Sequence, residues 1–237
     1  LISAVHWAAN GPEPTGYRDS SVVVLHAGSS DGSCSVLPGC ATRKYHSSRR
    51  DAFKPINQEP IAHVKIGPDG PSIEMGDAVG FDARPEAISP MMFDESTRIA
   101  QFVADAHLHP DLVQAAIDAD YDALLFHGTG LGHLPIADPQ EDSPENTRLR
   151  IMLADHCAAG GVVVVVTQTI HGPVHMDVYD KGRDQQEMGI IGHGSLCPPS
   201  SALVKLHHLL SRDEGRDAVA EGWDSDLVGE NPPDALS

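Results

Sequence analysis

Apolar residues follow two different spacings in the second half of the chain, and the two spacings alternate. Short apolar runs predict β-strands at Ile99 to Ala104, Asp122 to Phe126 and Val162 to Thr167. Helical spacing between and after these runs predicts helices at Asp111 to Ile117, Thr147 to Ala159 and Ser201 to Leu210. The last predicted strand is almost entirely valine, which is typical of a strand buried on both faces. Strands that alternate with helices form parallel sheets covered by helices, so this half predicts a parallel α/β domain.

The first half of the chain predicts shorter strands and one helix. Residues Ser21 to Gly28 predict a buried strand followed by a turn, and Gly67 to Pro71 predict a turn between short strands. Helical spacing at the start of the chain predicts a helix with a buried face formed by Leu1, Ala4, Val5 and Ala8. Because the helical pattern starts at the first residue, with no capping residue before it, we expect the sequence to begin partway through a domain.

A proline-rich stretch separates the two halves. Residues 82–95 contain Pro85, Pro90 and the pair Met91-Met92, and they predict a linker. The chain is therefore expected to comprise the C-terminal part of a first α/β domain at 1–81 and a complete smaller parallel α/β domain at 96–237, which includes an acidic tail.

Composition restricts the function classes. The 237 residues are 41% hydrophobic and 21% charged, which is sufficient for a folded core. With 16 basic and 34 acidic residues the formal charge is 16 − 34 = −18, which argues against a surface that grips nucleic acid through its phosphates. No run approaches the roughly 18 apolar residues of a membrane span, and no basic-then-apolar leader is visible. We expect a cytoplasmic protein without membrane contact.

The acidic excess has two interpretations. Asp occurs 23 times and Glu 11 times, against 5 Lys. Such a bias is typical of halophilic proteins, whose charges are screened by molar salt. An ordinary acidic cytosolic protein is the alternative.

Cysteine and histidine spacing does not predict a metal site. Cys34, Cys40, Cys157 and Cys197 form no Cys-x-x-Cys pair and are expected to be idle thiols. Two histidine pairs, His107 with His109 and His171 with His175, lack a further ligand in a known metal-binding pattern. We predict no bound metal.

Two loops directly follow predicted strands, where open α/β sheets bind ligands. The first is His127 to Pro135, which contains three glycines but lacks the spacing of a dinucleotide fingerprint. The second is Gln168 to His175. Spacing alone leaves each loop open to interpretation as a binding site or as a structural turn.

A basic stretch, Ala41 to Lys54, holds five of the sixteen basic residues. A lysine that is desolvated or placed beside other cations can lose its proton, and Arg43, Arg49 and Arg50 could supply that repulsion at Lys44. A solvated surface loop is the alternative interpretation.

Four segments resemble the asparaginase/glutaminase family of threonine amidohydrolases, and within it the D subunits of archaeal, in particular haloarchaeal, glutamyl-tRNA(Gln) amidotransferases. They are Arg43 to Lys54, Gly128 to Pro135, Gln168 to Arg183, and Asp226 to Glu230. The resemblance covers nearly the whole chain and implies an asparaginase-like α/β fold. In its terms, residues 1–81 are the C-terminal portion of the family's first domain and 96–237 are its second domain.

The family's chemistry is hydrolysis of a side-chain amide by a threonine nucleophile, supported by a second threonine, an aspartate and a lysine. The resemblance maps that lysine onto Lys44, nine residues before Phe53. The motifs Thr-Gly-Gly-Thr and His-Gly-Thr-Asp do not occur in the sequence, and His127-Gly128-Thr129-Gly130 lacks the aspartate. Pro199-Ser200 also stands where the family has Pro-Glu, which places one substrate contact in doubt. We therefore expect this chain to be inactive alone.

The resemblance also implies partners. Ammonia from glutamine or asparagine would pass to the E subunit of the amidotransferase, which uses ATP and Mg²⁺ to convert Glu-tRNA(Gln) to Gln-tRNA(Gln) and makes most of the tRNA contact. The chain itself would hold no cofactor, and an oligomer is expected. A free-standing L-asparaginase and a non-catalytic relic are the alternatives.

Overall fold

A computed structural model describes residues 1–11, 21–76, 91–212 and 214–231. The chain divides into two compact units, Leu1–Pro90 together with Leu227–Ser237, and Met91–Asp226. Most of the predicted linker at 82–95 lies outside the described residues, and its remaining part belongs to the second unit.

The first unit is built on antiparallel strands. Its elements are α1 (Ile2–Asn10), β1 (Val22–His26), β2 (Ser33–Pro38), a 3-10 turn (Gly39–Ala41), β3 (Thr42–Lys44), β4 (Phe53–Pro55), β5 (Ala62–Gly67) and β6 (Gly70–Met75). Four strands form one sheet in the order β1-β2-β5-β6, and β3 pairs with β4 in a separate hairpin. The turn predicted at Gly67 to Pro71 is confirmed, because it joins β5 to β6.

Two burial predictions in this unit are wrong. Strand β1 forms as expected, but it is half-buried along its length, because among the described strands it pairs with β2 alone, at the edge of the sheet. Helix α1 also forms, yet Leu1 is fully exposed and Val5 is 60% exposed. The helix buries Ser3 and packs Trp7 against the four-stranded sheet. Its contact face is therefore displaced from the apolar stripe that spacing alone suggested.

A short segment near the C-terminus belongs to the first unit. Glu230 is buried, and its carboxylate accepts hydrogen bonds from the backbone N–H groups of Leu227 (3.1 Å) and Val228 (2.8 Å). Gln58 donates to the carbonyl of Gly229, and the Cys40 thiol donates to the carbonyl of Val228 at 3.3 Å. These bonds fix a tight turn at Leu227 to Glu230.

The second unit is a parallel sheet covered by helices. Its elements are β7 (Ile99–Val103), α2 (Pro110–Asp118), β8 (Ala123–Gly128), α3 (Pro144–Ala158), β9 (Val162–Thr167), α4 (Asp180–Glu187), α5 (Pro199–Leu210) and α6 (Gly215–Asp224). The strands lie in the order β7-β8-β9, and both pairings are parallel. The predicted alternation and sheet type are confirmed.

The core of this unit follows the two faces of its sheet. Phe126 and Val165 belong to the cluster that includes residues of α2 and α3, whereas Leu125 and Val164 belong to the cluster that includes residues of α5 and α6. All six residues of β9 are buried, as the valine run predicted. Adjacent residues of a strand point to opposite faces, so burial on both sides demands a continuous apolar run.

Helix boundaries and number differ from the predictions. Helix α3 begins at Pro144 rather than Thr147, because proline is favourable in the first helical turn. Helices α4 and α6 were not predicted. Helix α4 consists almost entirely of polar residues, so apolar spacing did not mark it. No helix among the described residues is both long and apolar enough to cross a membrane.

Replacing Glu230 by Ala should destabilise the first unit by about 1–3 kcal/mol, because two backbone N–H groups lose a buried acceptor. Urea unfolding, followed by Trp7 fluorescence in a Trp223→Phe background, measures this. The control is Glu74→Ala, which removes an exposed carboxylate of the same unit, paired with Lys65, and should change stability by less than about 0.5 kcal/mol. Equal effects of the two substitutions would contradict a structural role for Glu230.

Candidate functional site

Lys44 lies on an exposed hairpin of the first unit. Strands β3 and β4 pair antiparallel, which places Lys44 opposite Phe53. The Lys44 Nζ lies 5.8 Å from the centre of the Phe53 ring, within the range of a cation–π contact. The nine-residue spacing between these residues therefore corresponds to a cross-strand pair, in which the ammonium group lies near the ring.

The loop that closes this hairpin is ordered by its own polar groups. His46 Nδ1 accepts hydrogen bonds from the backbone N–H groups of Ser48 and Arg49, each at 3.1 Å. The Tyr45 N–H donates to the Ala52 carbonyl at 2.6 Å. The basic stretch is thus a structured turn beside Lys44.

Carboxylates neutralise much of the positive charge around Lys44. Arg49 donates to both oxygens of Asp51, at 2.9 and 2.6 Å, and Lys54 lies 3.6 Å from the same carboxylate. Burial raises the pKa of Asp51, but the hydrogen bonds and charge of Arg49 outweigh it and hold that pKa below its usual range. Arg50 pairs with Asp31. Because both arginines are paired with carboxylates, they repel a charged Lys44 less than the sequence alone suggested.

Arg43 belongs to the opposite face of β3, because adjacent residues of a strand alternate between faces. The charge of Arg43 acts instead on the hydroxyl group of Tyr45, two residues further along the chain. Burial raises the pKa of the Tyr45 hydroxyl, and Arg43 partly offsets that rise. Arg49 and Arg50 therefore pair with carboxylates, and Arg43 lies on the face of β3 opposite Lys44.

The two loops predicted at the carboxyl ends of the strands lie side by side in the second unit. Gln168 N–H donates to the Gly128 carbonyl and His175 N–H donates to the Leu131 carbonyl, each at 2.9 Å. The Gln168 side chain donates to the carbonyls of Ala104 (2.8 Å) and His127 (2.7 Å). It thereby ties together the ends of β7 and β8.

The glycine loop, residues 128–134, is closed and tightly packed. Thr129 and His133 exchange two backbone hydrogen bonds of 2.9 Å. Gly132 has φ +94°, and a Cβ placed there would lie 2.7 Å from a methyl group of Val174. Glycine is required at this position both by its backbone conformation and by the lack of space.

Two polar side chains from neighbouring elements hold the glycine loop. The amide of Gln185, which is completely buried, accepts from the Leu134 N–H at 2.8 Å and donates to the Gly132 carbonyl at 3.0 Å. The Thr167 hydroxyl donates to the Gly130 carbonyl and lies 2.8 Å from the Thr169 hydroxyl. Gln185 belongs to α4, so apolar spacing could not have identified it.

His133 is the buried histidine of this loop. Its Nε2 has no hydrogen-bond partner among the described residues, and its ring meets the Tyr179 ring edge-on at 5.5 Å. Burial lowers the pKa of His133, and the nearby charge of Lys181 lowers it further. The ring is therefore kept neutral at neutral pH.

One cluster at the surface combines groups that metals favour. His175, Asp177 and His193 each offer a ligand atom, and these atoms lie within 4.8 Å of one another. However, His193 Nδ1 accepts a hydrogen bond from the Met176 N–H at 3.0 Å. A metal on Nε2 would require the proton to move to Nδ1, where it would face that N–H. The tautomer that this hydrogen bond implies therefore opposes metal binding.

The histidine pairs noted in the sequence have other partners. His109 Nδ1 accepts from the Asp111 N–H at 3.2 Å and caps α2. The His107 backbone N–H donates to the Asp105 carboxylate at 2.8 Å. The His175 ring meets the His193 ring edge-on, with the centroids 5.4 Å apart.

Replacing Gln185 by Leu should destabilise the second unit by about 1–3 kcal/mol, since the Leu134 N–H and the Gly132 carbonyl would lose their buried hydrogen-bond partner. Urea unfolding, followed by Trp223 fluorescence in a Trp7→Phe background, measures the change. Gln114→Leu, which removes a hydrogen bond at the surface of α2, is the matched control with little expected effect. A Gln185 variant as stable as this control would show that the loop holds its shape without the amide.

Added Zn²⁺ should leave the melting temperature unchanged at up to about tenfold molar excess, because binding would break the Met176–His193 hydrogen bond. Differential scanning fluorimetry checks this, with magnesium as the control ion. Saturable one-to-one binding of zinc in calorimetry, abolished by Asp177→Asn, would contradict the prediction.

Comparison with known proteins identifies relatives of both units. Residues 98–221 match the model of the glutaminase/asparaginase C-terminal domain. Proteins named as D subunits of glutamyl-tRNA(Gln) amidotransferase are 31% identical over 214 residues in Methanococcus maripaludis and 34% identical over 214 residues in Methanosarcina mazei. These alignments cover 88% and 89% of this chain, but 46% and 44% of the relatives. The chain thus spans about half the length of the curated relatives it matches.

Solved structures of two asparaginases share the fold. L-asparaginase I from Vibrio cholerae has a TM-score of 0.67 at 24% identity, covering 84% of this chain and 55% of that one. The thermostable L-asparaginase from Thermococcus kodakarensis has a TM-score of 0.68 at 22% identity, covering 98% and 61%. The predicted asparaginase-like α/β fold is confirmed. Because the domain match extends over more than half of its residues, the chain belongs to the glutaminase/asparaginase family.

Proposed function

We propose that this chain is part of the glutaminase subunit of a tRNA-dependent amidotransferase. That subunit hydrolyses the side-chain amide of glutamine or asparagine, and the ammonia passes to the E subunit. With ATP and Mg²⁺, the E subunit converts Glu-tRNA(Gln) to Gln-tRNA(Gln). The observation that carries the proposal is the 31–34% identity to the amidotransferase D subunits over almost nine-tenths of the chain.

Lys44 is the candidate catalytic residue that the chain contributes. It lies on the β3–β4 hairpin, opposite Phe53, with its ammonium group near that ring. The ammonium form can orient an attacking nucleophile or stabilise negative charge on it, and the neutral amine form can accept the proton of that nucleophile. The threonine motifs are absent from the 237 residues, so the nucleophile must come from polypeptide outside them.

The charge of the chain is consistent with amide hydrolysis in this subunit and tRNA binding by the E subunit. A formal charge of −18 is unfavourable for binding tRNA phosphates directly, and the E subunit would provide that contact. The same acidic excess supports a haloarchaeal, cytoplasmic setting, in which salt screens the repulsion.

A free-standing L-asparaginase is the second candidate, because both solved structures described above are L-asparaginases. Amide transfer distinguishes the two. The amidotransferase forms Gln-tRNA(Gln) when the E subunit, ATP, glutamine and Glu-tRNA(Gln) are supplied, whereas an asparaginase releases ammonia from asparagine without them. A non-catalytic relic would do neither.

The first experiment is to sequence the DNA immediately upstream of the codon for Leu1. An open frame that encodes Thr-Gly-Gly-Thr and His-Gly-Thr-Asp supports the amidotransferase. A stop codon or unrelated sequence there would favour the relic.

The purified 237-residue chain should release no ammonia from glutamine or asparagine above the rate without protein, because it has no threonine nucleophile motif. A coupled glutamate dehydrogenase assay measures the release. Turnover by this chain would overturn the assignment of the nucleophile to residues outside it.

In the assembled enzyme, Lys44→Met should lower kcat for glutamine hydrolysis by about 10²-fold or more, the usual effect of losing a proton-transfer group. Lys65→Met is the matched control, since Lys65 is exposed on β5 and pairs with Glu74. The control should retain full activity. Equal activity of both variants would show that Lys44 has no role in catalysis.

A further inference from the structure

Strand β7 is an edge of the parallel sheet, and its outer side has no partner strand among the described residues. The Arg98 carbonyl accepts the Asp122 N–H, and the Ala104 N–H donates to the His127 carbonyl, each at 2.9 Å. Even-numbered residues here therefore turn their backbone groups towards β8, and odd-numbered residues turn theirs outwards, because successive residues of a strand alternate in direction. The outward-facing residues of the strand are Ile99, Gln101 and Val103.

The outer side of β7 is open to solvent. Gln101 is exposed, and Val103 is 52% exposed. The Gln101 side chain lies towards the neighbouring strand, since its Oε1 is 3.4 Å from His127 Nε2. Three N–H groups and three carbonyls are thus left for a further strand.

This edge lacks the features that prevent strands from associating. Natural proteins protect exposed edges with charged residues, prolines or a covering segment. Strand β6, an edge in the first unit, carries Pro71 and Glu74. The outer side of β9 is covered, because the Val165 N–H donates to the Ile191 carbonyl at 2.8 Å and the Ile191 N–H donates to the Val163 carbonyl at 2.9 Å. Strand β7 has no charged residue and no proline.

The outer side of β7 is complementary to itself. A second copy of the strand that runs antiparallel, about a two-fold axis at Gln101, places Ile99 of one copy opposite Val103 of the other. These residues all face the axis, so each opposing pair can exchange two backbone hydrogen bonds. The three pairs use all of the outward groups, and neither copy needs to change its pairing with β8.

Opposite charges at the two ends of β7 favour the antiparallel arrangement. Arg98 precedes the strand, and the exposed Asp105 follows it by two residues. In the antiparallel pair, Arg98 of one copy lies opposite Ala104 and next to Asp105 of the other. Strands that ran parallel would instead bring like charges together, which is unfavourable.

We propose that β7 is a dimerisation edge, through which two copies of this chain join their parallel sheets into one six-stranded sheet. The contact uses the same surface of both copies, as in most two-fold dimers. Because the two sheets run in opposite directions, the glycine loops of the two copies lie at opposite ends of the joined sheet. The interface therefore does not involve these loops, and the proposal is independent of the reaction that the whole protein catalyses.

Sedimentation velocity of the 237-residue chain tests the dimer. The formal charge of −18 makes two copies repel, so the buffer contains about 1 M KCl, which screens charges beyond about 3 Å. As the protein concentration rises to about 100 µM, the mass should increase from 25.2 kDa towards twice that value.

Proline at the centre of the edge removes an outward N–H. Gln101→Pro should weaken dimerisation by about tenfold or more, because the central pair loses both of its hydrogen bonds. Strand β1 is the competing edge, since it also lacks charged residues and prolines and pairs with β2 alone among the described strands.

The matched control is His26→Pro, which makes the same change on β1. The Ala27 N–H donates to the Ser33 carbonyl at 3.1 Å, so the N–H of the preceding residue, His26, points to the outer side of β1. This substitution should leave the dimer intact.

A disulfide between copies locates the two-fold axis. Cys34→Ser and Cys40→Ser remove the two partly exposed natural thiols. In that background, Gln101→Cys places two thiols opposite each other, at the Cα separation of about 5.5 Å that a disulfide requires. Val103→Cys places its thiol opposite Ile99 of the other copy and should not crosslink on mild oxidation.

The dimerisation edge is excluded by any of four results. The first two are a natural chain that stays monomeric at about 100 µM and a Gln101→Pro dimer as stable as the natural one. The others are a loss of dimerisation in His26→Pro as large as in Gln101→Pro, and equal crosslinking at positions 101 and 103. The disulfide needs no proline in the strand, so it decides the matter even where Gln101→Pro folds poorly.

Discussion

Strand β8 is the element on which the second unit depends. It lies between β7 and β9, so its backbone groups are paired along both edges, while its side chains are buried on both faces. A strand so enclosed cannot shift its register without moving charged or polar groups into the core. Its carboxyl end is therefore a fixed point, from which the glycine loop emerges beside the loop that follows β9.

Polar side chains specify the shape of these loops, whereas apolar packing specifies the sheet. Gln168 bridges two carbonyls at the ends of β7 and β8, and Gln185 bridges an N–H and a carbonyl of the glycine loop. Such bonds have strict geometry, and buried groups without them are penalised. Buried side-chain hydrogen bonds therefore hold the glycine loop and the loop after β9 in place, whereas apolar packing holds the valine-rich strand β9.

Sequence patterns predicted the parallel sheet because burial on both faces leaves an unmistakable signal, as in the valines of β9. They failed at α4, whose stability derives from tertiary bonds such as those of Gln185. They also misplaced the contact face of α1, where Trp7 packs on the sheet and Leu1 is exposed. In the candidate site, the basic stretch and the family resemblance singled out Lys44, and the strand pattern singled out both loops. The sequence could not reveal which carboxylate lies against Arg49 or Arg50, because that depends on how the chain folds.

The contact between Gly132 and Val174 restricts how the sequence can change over time. The valine fills the volume that any side chain at 132 would need, and the positive φ excludes most residues from that position. No side chain fits at 132 while Val174 stays as it is. A relative with a side chain at 132 must therefore have a residue smaller than valine at 174, or a rebuilt loop, so the two positions should vary as a pair although they are 42 residues apart in the sequence.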